Sequence, residues 1–332
     1  MLAVTGITMK TIAITMGDPG GVGPEIIVKA LTDSEIREYC RPIVIGDRSV
    51  FEEVSALMTV PLKITTIASP ERSVPSPDAM ELIDIGLNSN WKKNAPSPEG
   101  GRMSVACIER AVSFAVDKKV DAVVTAPISK EAIKMAGFRW PGHTEMLAEL
   151  TGTSDYAMML VGGLLRVILV TIHTPLRNVP DLIKKKNVLK TISLAHKACG
   201  MMSLKRPRIA VAGLNPHAGE SGLFGDEEEE EIRPAVEEAV KQGIPAQGPL
   251  PPDTVFHKAY CGEIDIIVSM YHDQGLIPLK MIAFDEGVNV TVGLPFIRTS
   301  PDHGTAYDIA WLGRAHPSSM LEAIKLAERL NI

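Results

Sequence analysis

Aromatic residues are scarce in this 332-residue chain, at 5%, and positive charge is not in excess: Lys+Arg 34 against Asp+Glu 40 leaves a formal charge of −6. A nucleic-acid surface needs a basic stripe and usually stacking aromatics, so that class of function is not expected. Cysteine is also sparse. Cys40, Cys107, Cys199 and Cys261 lie far apart and form no CxxC pair, which excludes a disulfide scaffold. The longest apolar stretch, Met158 to Ile172, carries Arg166 in its interior and falls short of a membrane span. The opening segment, MLAVTGITMKT, has no basic region followed by a long apolar core, so no export signal is visible and a reducing cytoplasm is expected. Residues 1–8 read as an extension or alternative start before Met9.

What the chain does contain is a succession of short, β-branched apolar runs: TIAIT (11–15), PIVIG (42–46), DAVVT (121–125), RVILV (166–170), RIAVAGL (208–214), DIIVSM (265–270) and VNVTV (288–292). Continuous rather than alternating runs suit strands buried on both faces. Helix-like stretches lie between them, at Glu25–Leu31, Ser104–Asp117, Lys130–Ala136, Asp181–Cys199 and Glu227–Lys241, so the chain reads as α/β. The segment from Ser69 to Gly101, rich in Pro, Ser and Asn, reads as a surface connection. The acidic run Asp226–Glu231 reads as a solvated helix start, favoured by the helix dipole.

Nearly every strand candidate ends in a polar turn containing Gly or Pro, and in open α/β sheets ligands bind outside the carboxyl ends of the strands. Four of the eight histidines occupy such turns or an equivalent one: His143, His173, His217 and His272. Imidazole is the commonest ligand for zinc-like ions, and three histidines with an open position make a catalytic arrangement. His173, His217 and His272 are therefore the candidate metal ligands, whereas His196, His257 and His316 read as structural. Lys280, Asn289 and Arg298 lie on or after the last two strand candidates, and the flanks of Lys280 and Arg298 (IPLKMIAF, LPFIRTS) are apolar. A guanidinium and an ammonium in such settings suit a phosphate or carboxylate. GDPGGVGPE (17–25) is neither GxGxxG nor a Walker A sequence; its glycines permit a tight turn and Pro24 suits a first helical turn.

Taken in order, GDPGGVGPE, TAPISK, GHTE, NPHAGE, YHDQG, GVNVTVGLP and IRTSPDHGTA resemble the 4-hydroxythreonine-4-phosphate dehydrogenase family from about residue 10 to residue 330. The resemblance implies an isocitrate/isopropylmalate dehydrogenase-like fold, two α/β domains in α/β/α layers with a central cleft. Residues 1–135 plus 300–332 would form the cofactor side, and 136–299 the metal, substrate and dimer side. It implies a homodimer with a shared site, a divalent metal (Zn, Mg or Co) on His173, His217 and His272, and substrate contacts from His143, Thr144, Lys280, Asn289 and Arg298. DHGTAYDIA (302–310) looks like the cofactor-side loop of isopropylmalate dehydrogenases, which would place NAD or NADP against Asp302, His303, Gly304 and Thr305.

The reaction so implied oxidises 4-phosphohydroxy-L-threonine to 2-amino-3-oxo-4-phosphooxybutanoate. That β-keto acid loses CO2 to give 3-amino-2-oxopropyl phosphate, a step toward pyridoxal 5'-phosphate. Lys280, Asp273 and Asp253 are the candidates for the base that takes the hydroxyl proton. The apolar character of IPLKMIAF looks more like the branch acting on D-threonate or D-erythronate 4-phosphate, which yields dihydroxyacetone phosphate in sugar-acid catabolism. A metal-dependent hydrolase using the three histidines and Asp273, and a small-anion binding protein, are the competing classes.

Overall fold

The computed structural model describes residues 9–33, 35–60, 62–76, 78–87 and 90–332; the extension read at residues 1–8 lies outside them. The chain divides into two compact units, the described residues up to Gly152 with Pro295–Arg329, and Thr153–Leu294 with Leu330–Ile332. The boundary expected at 135/136 falls inside the first unit, which also holds the helix from His143 to Thr151.

The first unit is built on six strands, β1 (Lys10–Thr15), β2 (Cys40–Gly46), β3 (Lys63–Thr66), β4 (Ala79–Asp84), β5 (Ala122–Thr125) and β12 (Ile297–Pro301). They run in the order β3-β4-β2-β1-β5-β12, and every pairing is parallel. In β5 and β12 every residue is buried. Because neighbouring side chains point to opposite sides, such strands are covered on both faces. The cover comes from α1 (Gly23–Thr32), α2 (Ile36–Tyr39), α3 (Arg48–Met58), α4 (Pro98–Val116), α5 (Lys130–Met135), α6 (His143–Thr151) and α12 (Ser318–Arg329). Each fully buried Ile or Val, as at Ile12, Ile43 and Val123, contributes roughly 1.5–3 kcal/mol. The segment read as a surface connection contains β4, nearly all of it buried. Glu81 disguised that strand. It is 4% exposed and tolerated there because Val74 N (2.7 Å) and the Ser73 hydroxyl donate to its carboxylate.

The second unit has β6 (Ala157–Gly162), β7 (Leu165–Leu169), β8 (Ile209–Ala212), β9 (Ala246–Leu250), β10 (Ile266–Ser269) and β11 (Val288–Val292). Their order is β11-β6-β7-β10-β8-β9. The long apolar stretch Met158–Ile172 is the antiparallel hairpin β6–β7, whereas β7, β10, β8 and β9 are mutually parallel. The helices are α7 (Val179–Leu182), α8 (Lys185–Met201), α9 (Arg233–Lys241), α10 (Pro252–Tyr260) and α11 (His272–Ile282). The single helix expected over 181–199 is broken at Ile183–Lys184, where both residues leave helical geometry and the Glu231 carboxylate accepts from Lys185 N at 2.6 Å, capping α8. Among the described residues no helix is long and apolar enough to cross a membrane.

Candidate active site

All six strands of the first unit are parallel, so their carboxyl ends share one edge. GDPGGVGPE leaves β1 there, and its glycines are committed to internal packing. A Cβ on Gly20 would lie 2.3 Å from the Lys92 carbonyl oxygen, and one on Gly21 2.8 Å from that of Thr305. No room remains for a phosphate cradle in that turn. Asp18, fully buried, accepts from Gly20 N (2.8 Å) and from the Tyr307 hydroxyl (2.9 Å). Burial raises the Asp18 carboxyl above its usual range, and it raises the Tyr307 phenol as well. Trp311 donates from Nε1 to the Pro19 carbonyl (2.9 Å) and from its backbone N to Glu25, while Val22 N donates to the Thr305 carbonyl (2.9 Å). These contacts pin the 302–311 segment to the β1 turn. Within it, Asp302 N donates to Ser319 Oγ (3.2 Å), His303 is exposed, and a Cβ on Gly304 would meet nothing within 4 Å. The loop expected to hold the cofactor is thus fixed at one end and open at Gly304.

Deeper in this unit, Arg298 on β12 is 1% exposed and donates from Nη2 to Thr125 Oγ1 at 2.6 Å. Burial pulls the guanidinium down to about 9, against the attraction of the Glu145 carboxylate, so it remains charged at neutral pH. His143 opens α6, whose N-cap Gly142 provides no side-chain cap. Its Nε2 is enclosed without a hydrogen-bond partner among the described residues, and burial, reinforced by Arg298, keeps the ring neutral at pH 7. Thr144, next in the helix, is 5% exposed. A buried cation, a neutral imidazole with an unused nitrogen and a helix N-terminus together form a site for an anion.

In the second unit the three candidate metal ligands follow the carboxyl ends of neighbouring parallel strands: His173 after β7, His272 after β10 and His217 after β8. The rings of His173 and His272 lie with centroids 5.7 Å apart. His217 instead leans on Phe224, ring centroids 6.3 Å apart, and meets Glu220 Oε1 through Nδ1 at 2.7 Å. Among the described residues no three His, Cys, Asp or Glu side chains are gathered closely enough to hold an ion as they stand. The donor chemistry nevertheless suits one. His217 and His272 each have Nδ1 on a carboxylate, Glu220 and Asp273 (2.7 Å each), which fixes the ring and leaves Nε2 for a metal.

Gln274, absent from the sequence-based set, ties two of these loops together. Its Oε1 accepts from Met270 N and its Nε2 donates to the Gly213 carbonyl, both at 2.7 Å. Its neighbour Gly275 lets α11 close onto β7, since a Cβ there would lie 2.5 Å from Val167 Cγ1. The YHDQG spelling therefore places candidate ligand, tether, bridge and close approach in consecutive residues. His217 itself sits in a left-handed turn: residues 217–222 all have positive φ, from 41° to 92°. Four of them are not glycine, and such residues cost roughly 1–2 kcal/mol each in that conformation.

The remaining candidates are dispersed. Asp253 is exposed in the first turn of α10, and Lys280 lies near the end of α11 with Nζ 5.9 Å over the Phe284 ring. Asn289 is on β11 with its Oδ1 enclosed and unpartnered among the described residues. His196, His257 and His316, read as structural, are exposed; His257 meets its near neighbour Cys261 (3.6 Å) and His316 meets Ser318 (2.7 Å).

A parallel α/β scaffold with an enclosed cationic pocket and carboxylate-tethered histidines at strand ends is the equipment of a metabolic enzyme acting on an anionic substrate. Comparison with known proteins agrees. The family model of the pyridoxal phosphate biosynthetic protein PdxA matches residues 38–327. A 4-hydroxythreonine-4-phosphate dehydrogenase of Desulforapulum autotrophicum is 48% identical over 319 residues, 95% of this chain and 94% of that protein. A D-threonate 4-phosphate dehydrogenase of Pectobacterium atrosepticum is 46% identical over 324 residues, 97% of this chain and 99% of that one. The crystal structure of the 4-hydroxythreonine-4-phosphate dehydrogenase from Klebsiella pneumoniae superposes with a TM-score of 0.90 at 43% identity, covering 98% of this chain and 99% of that one. The chain belongs to the PdxA family and is a dehydrogenase acting on a CH–OH group.

Proposed function

We propose that the protein oxidises the secondary alcohol of 4-phosphohydroxy-L-threonine with NAD or NADP and a divalent metal. The product, 2-amino-3-oxo-4-phosphooxybutanoate, then loses CO2 to give 3-amino-2-oxopropyl phosphate for pyridoxal 5'-phosphate synthesis. The observation that carries this reading is the pocket of Arg298, His143 and Thr144: an enclosed charge with an unused imidazole nitrogen suits a phosphorylated substrate. The two units correspond, in this reading, to the two domains of an isocitrate/isopropylmalate dehydrogenase-like fold in a cytoplasmic enzyme.

Arg298 and the α6 N-terminus bind the phosphate, and Lys280 and Asn289 orient the carboxylate and the reacting carbon. The 302–305 loop receives the nicotinamide cofactor, supported by the open space at Gly304. His173, His217 and His272 would hold a divalent ion (zinc, magnesium or cobalt), which would supply Lewis acidity toward the alcohol and the nascent carbonyl. With Asp273 committed to His272, Lys280 and Asp253 remain to take the hydroxyl proton, and NAD or NADP would supply the hydride acceptor.

A homodimer with a shared site is part of this reading. Eight residues of α11 separate Lys280 from His272, about 12 Å of helix. Around the far end of that helix Ile277 (58%), Met281 (83%), Phe284 (76%) and, in the β6–β7 turn, Leu164 (57%) are exposed, an apolar surface suited to a second copy.

The relatives named D-threonate 4-phosphate dehydrogenase match as extensively as the others, and they favour a second reading in which the substrate is D-threonate or D-erythronate 4-phosphate. NADH formation measured in parallel on the three phosphates, with and without chelator, separates the two. Chelator-sensitive turnover of the amino substrate is expected. Preference for a sugar acid replaces the first reading with the second, and metal-dependent phosphate release without NADH would make the protein a hydrolase.

A further inference from the structure

We infer that Glu228 is a positioning residue that holds His217 in its ligating place. The inference rests on the reading of His217 as a metal ligand. The acidic run 226–231 is a helix start with Asp226, Glu229 and Glu230 exposed, as its composition suggests, but Glu228 within it is not solvated. Glu228 is fully buried, and its Oε1 accepts from Leu214 N and Asn215 N, both at 2.7 Å, while Oε2 accepts from Asn215 Nδ2 at 2.9 Å. Those donors belong to the exit of β8, immediately before His217. On its other side the carboxylate lies against the left-handed turn: a Cβ on Gly219 would fall 2.8 Å from Glu228 Oε2, and one on Gly213 3.1 Å from Oε1. One buried carboxylate thus fills the concave side of the six-residue turn that presents His217 and its tether Glu220.

Two further features point the same way. Glu228 begins a single π turn, Glu228–Ile232, before α9 continues as ordinary helix; such wide turns recur at functional sites because they re-aim one side chain. Glu227 shares the Asn215 Nδ2 donor (2.8 Å), whereas Glu229 is engaged elsewhere on Arg233 (2.7 Å) and Glu231 on Lys185 N (2.6 Å). Residues in the left-handed region persist only where their surroundings over-determine them, and here the surroundings are Glu228.

The test uses the full chain and Co2+ as probe, read by equilibrium dialysis and by the visible spectrum of the bound ion, with circular dichroism and thermal unfolding as fold controls. Glu228→Gln keeps the volume but turns a donor toward groups that already donate. Co2+ affinity should fall about 10- to 100-fold, the loss typical when a ligand's supporting contact is removed, with the spectrum altered and the fold retained. Ser221→Gly in the Glu228→Gln background should recover several-fold in affinity, because glycine adopts the left-handed conformation freely. A purely structural role would give neither the spectral change nor the rescue. Wild-type affinity and spectrum in folded Glu228→Gln overturn the inference. If that variant does not fold, Asn215→Ala, which removes the Nδ2 bonds to Glu228 Oε2 and Glu227 and spares the backbone donors to Oε1, takes its place: a weaker Co2+ complex supports the inference and an unchanged one overturns it. His217→Ala is the separate control, since wild-type Co2+ binding in that variant refutes the ligand reading itself.

Discussion

Arg298 and Thr144 of the first unit are buried and His143 is half-buried with its Nε2 enclosed, burial setting the charge states of Arg298 and His143. In the second unit, by contrast, His173 and His217 stand exposed on loops, and His217 and His272 each meet a carboxylate through Nδ1. The first set is held by β12, buried throughout, and by the buried face of α6. The histidine loops obtain their geometry from a few polar contacts, Gln274 to Met270 and Gly213, Asp273 to His272, and Glu228 to the β8 exit. Under the proposed function, the difference follows from the chemistry each would perform. An anion is recognised best by a charge kept from water, where each contact is strong. A metal ligand needs an open nitrogen and room for the incoming substrate.

Arg298→Ala breaks that contrast most severely. Loss of a buried charged contact costs about 2–5 kcal/mol, and at about 1.4 kcal/mol per tenfold the drop in kcat/KM for the phosphorylated substrate should be roughly a thousand-fold, chiefly through KM. Arg298→Lys should recover little, since an ammonium lacks the planar fork. An unchanged KM in steady-state assays would remove Arg298 from the substrate site. His217→Ala should weaken divalent-metal binding at least about a hundred-fold and leave the circular dichroism spectrum intact, because the side chain is exposed; full activity in metal-stripped buffer would contradict the ligand assignment. Charge introduced by Met281→Glu with Phe284→Glu should shift sedimentation equilibrium toward monomer and cut turnover some tens-fold, as expected for an interface core losing its hydrophobic anchors. A fully active monomer would refute the shared site.

The smallest effect sharpens the contrast through pH. In the unfolded chain His143 titrates near 6.5, and burial lowers that value in the folded protein. Below pH 6.5 the unfolded state therefore binds a proton that the folded state refuses, and stability falls by up to about 1.4 kcal/mol per pH unit; above 6.5 the contribution is fully present. His143→Gln should flatten that slope in denaturant titrations between pH 6.5 and 5, and an identical slope would place His143 in contact with solvent.

Much of this was legible in the residues. The seven continuous apolar runs all form strands, because strands covered on both faces need no polar alternation. What escaped the pattern were elements whose polar residues find partners only in three dimensions. Glu81 hid β4, and IRTSP gave no apolar signal for β12, whose second residue is Arg298. In the site, the histidines and Arg298 stood out by position and flank. Asp18, Gln274 and Glu228 did not, since a buried carboxylate or amide is recognisable only once its backbone donors are known.

The sequence by itself determined the α/β class, the strand ends where the candidate site lies and membership of the PdxA family, because local apolar runs and fixed motif spacings are properties of the chain. Only the tertiary structure decided that the GDPGG glycines serve packing, that Arg298 is enclosed beside a neutral His143, and that Glu228 holds the turn bearing His217. Each of those depends on burial and on partners distant in sequence or hidden by composition, and desolvation acts on a side chain only after the fold has closed around it.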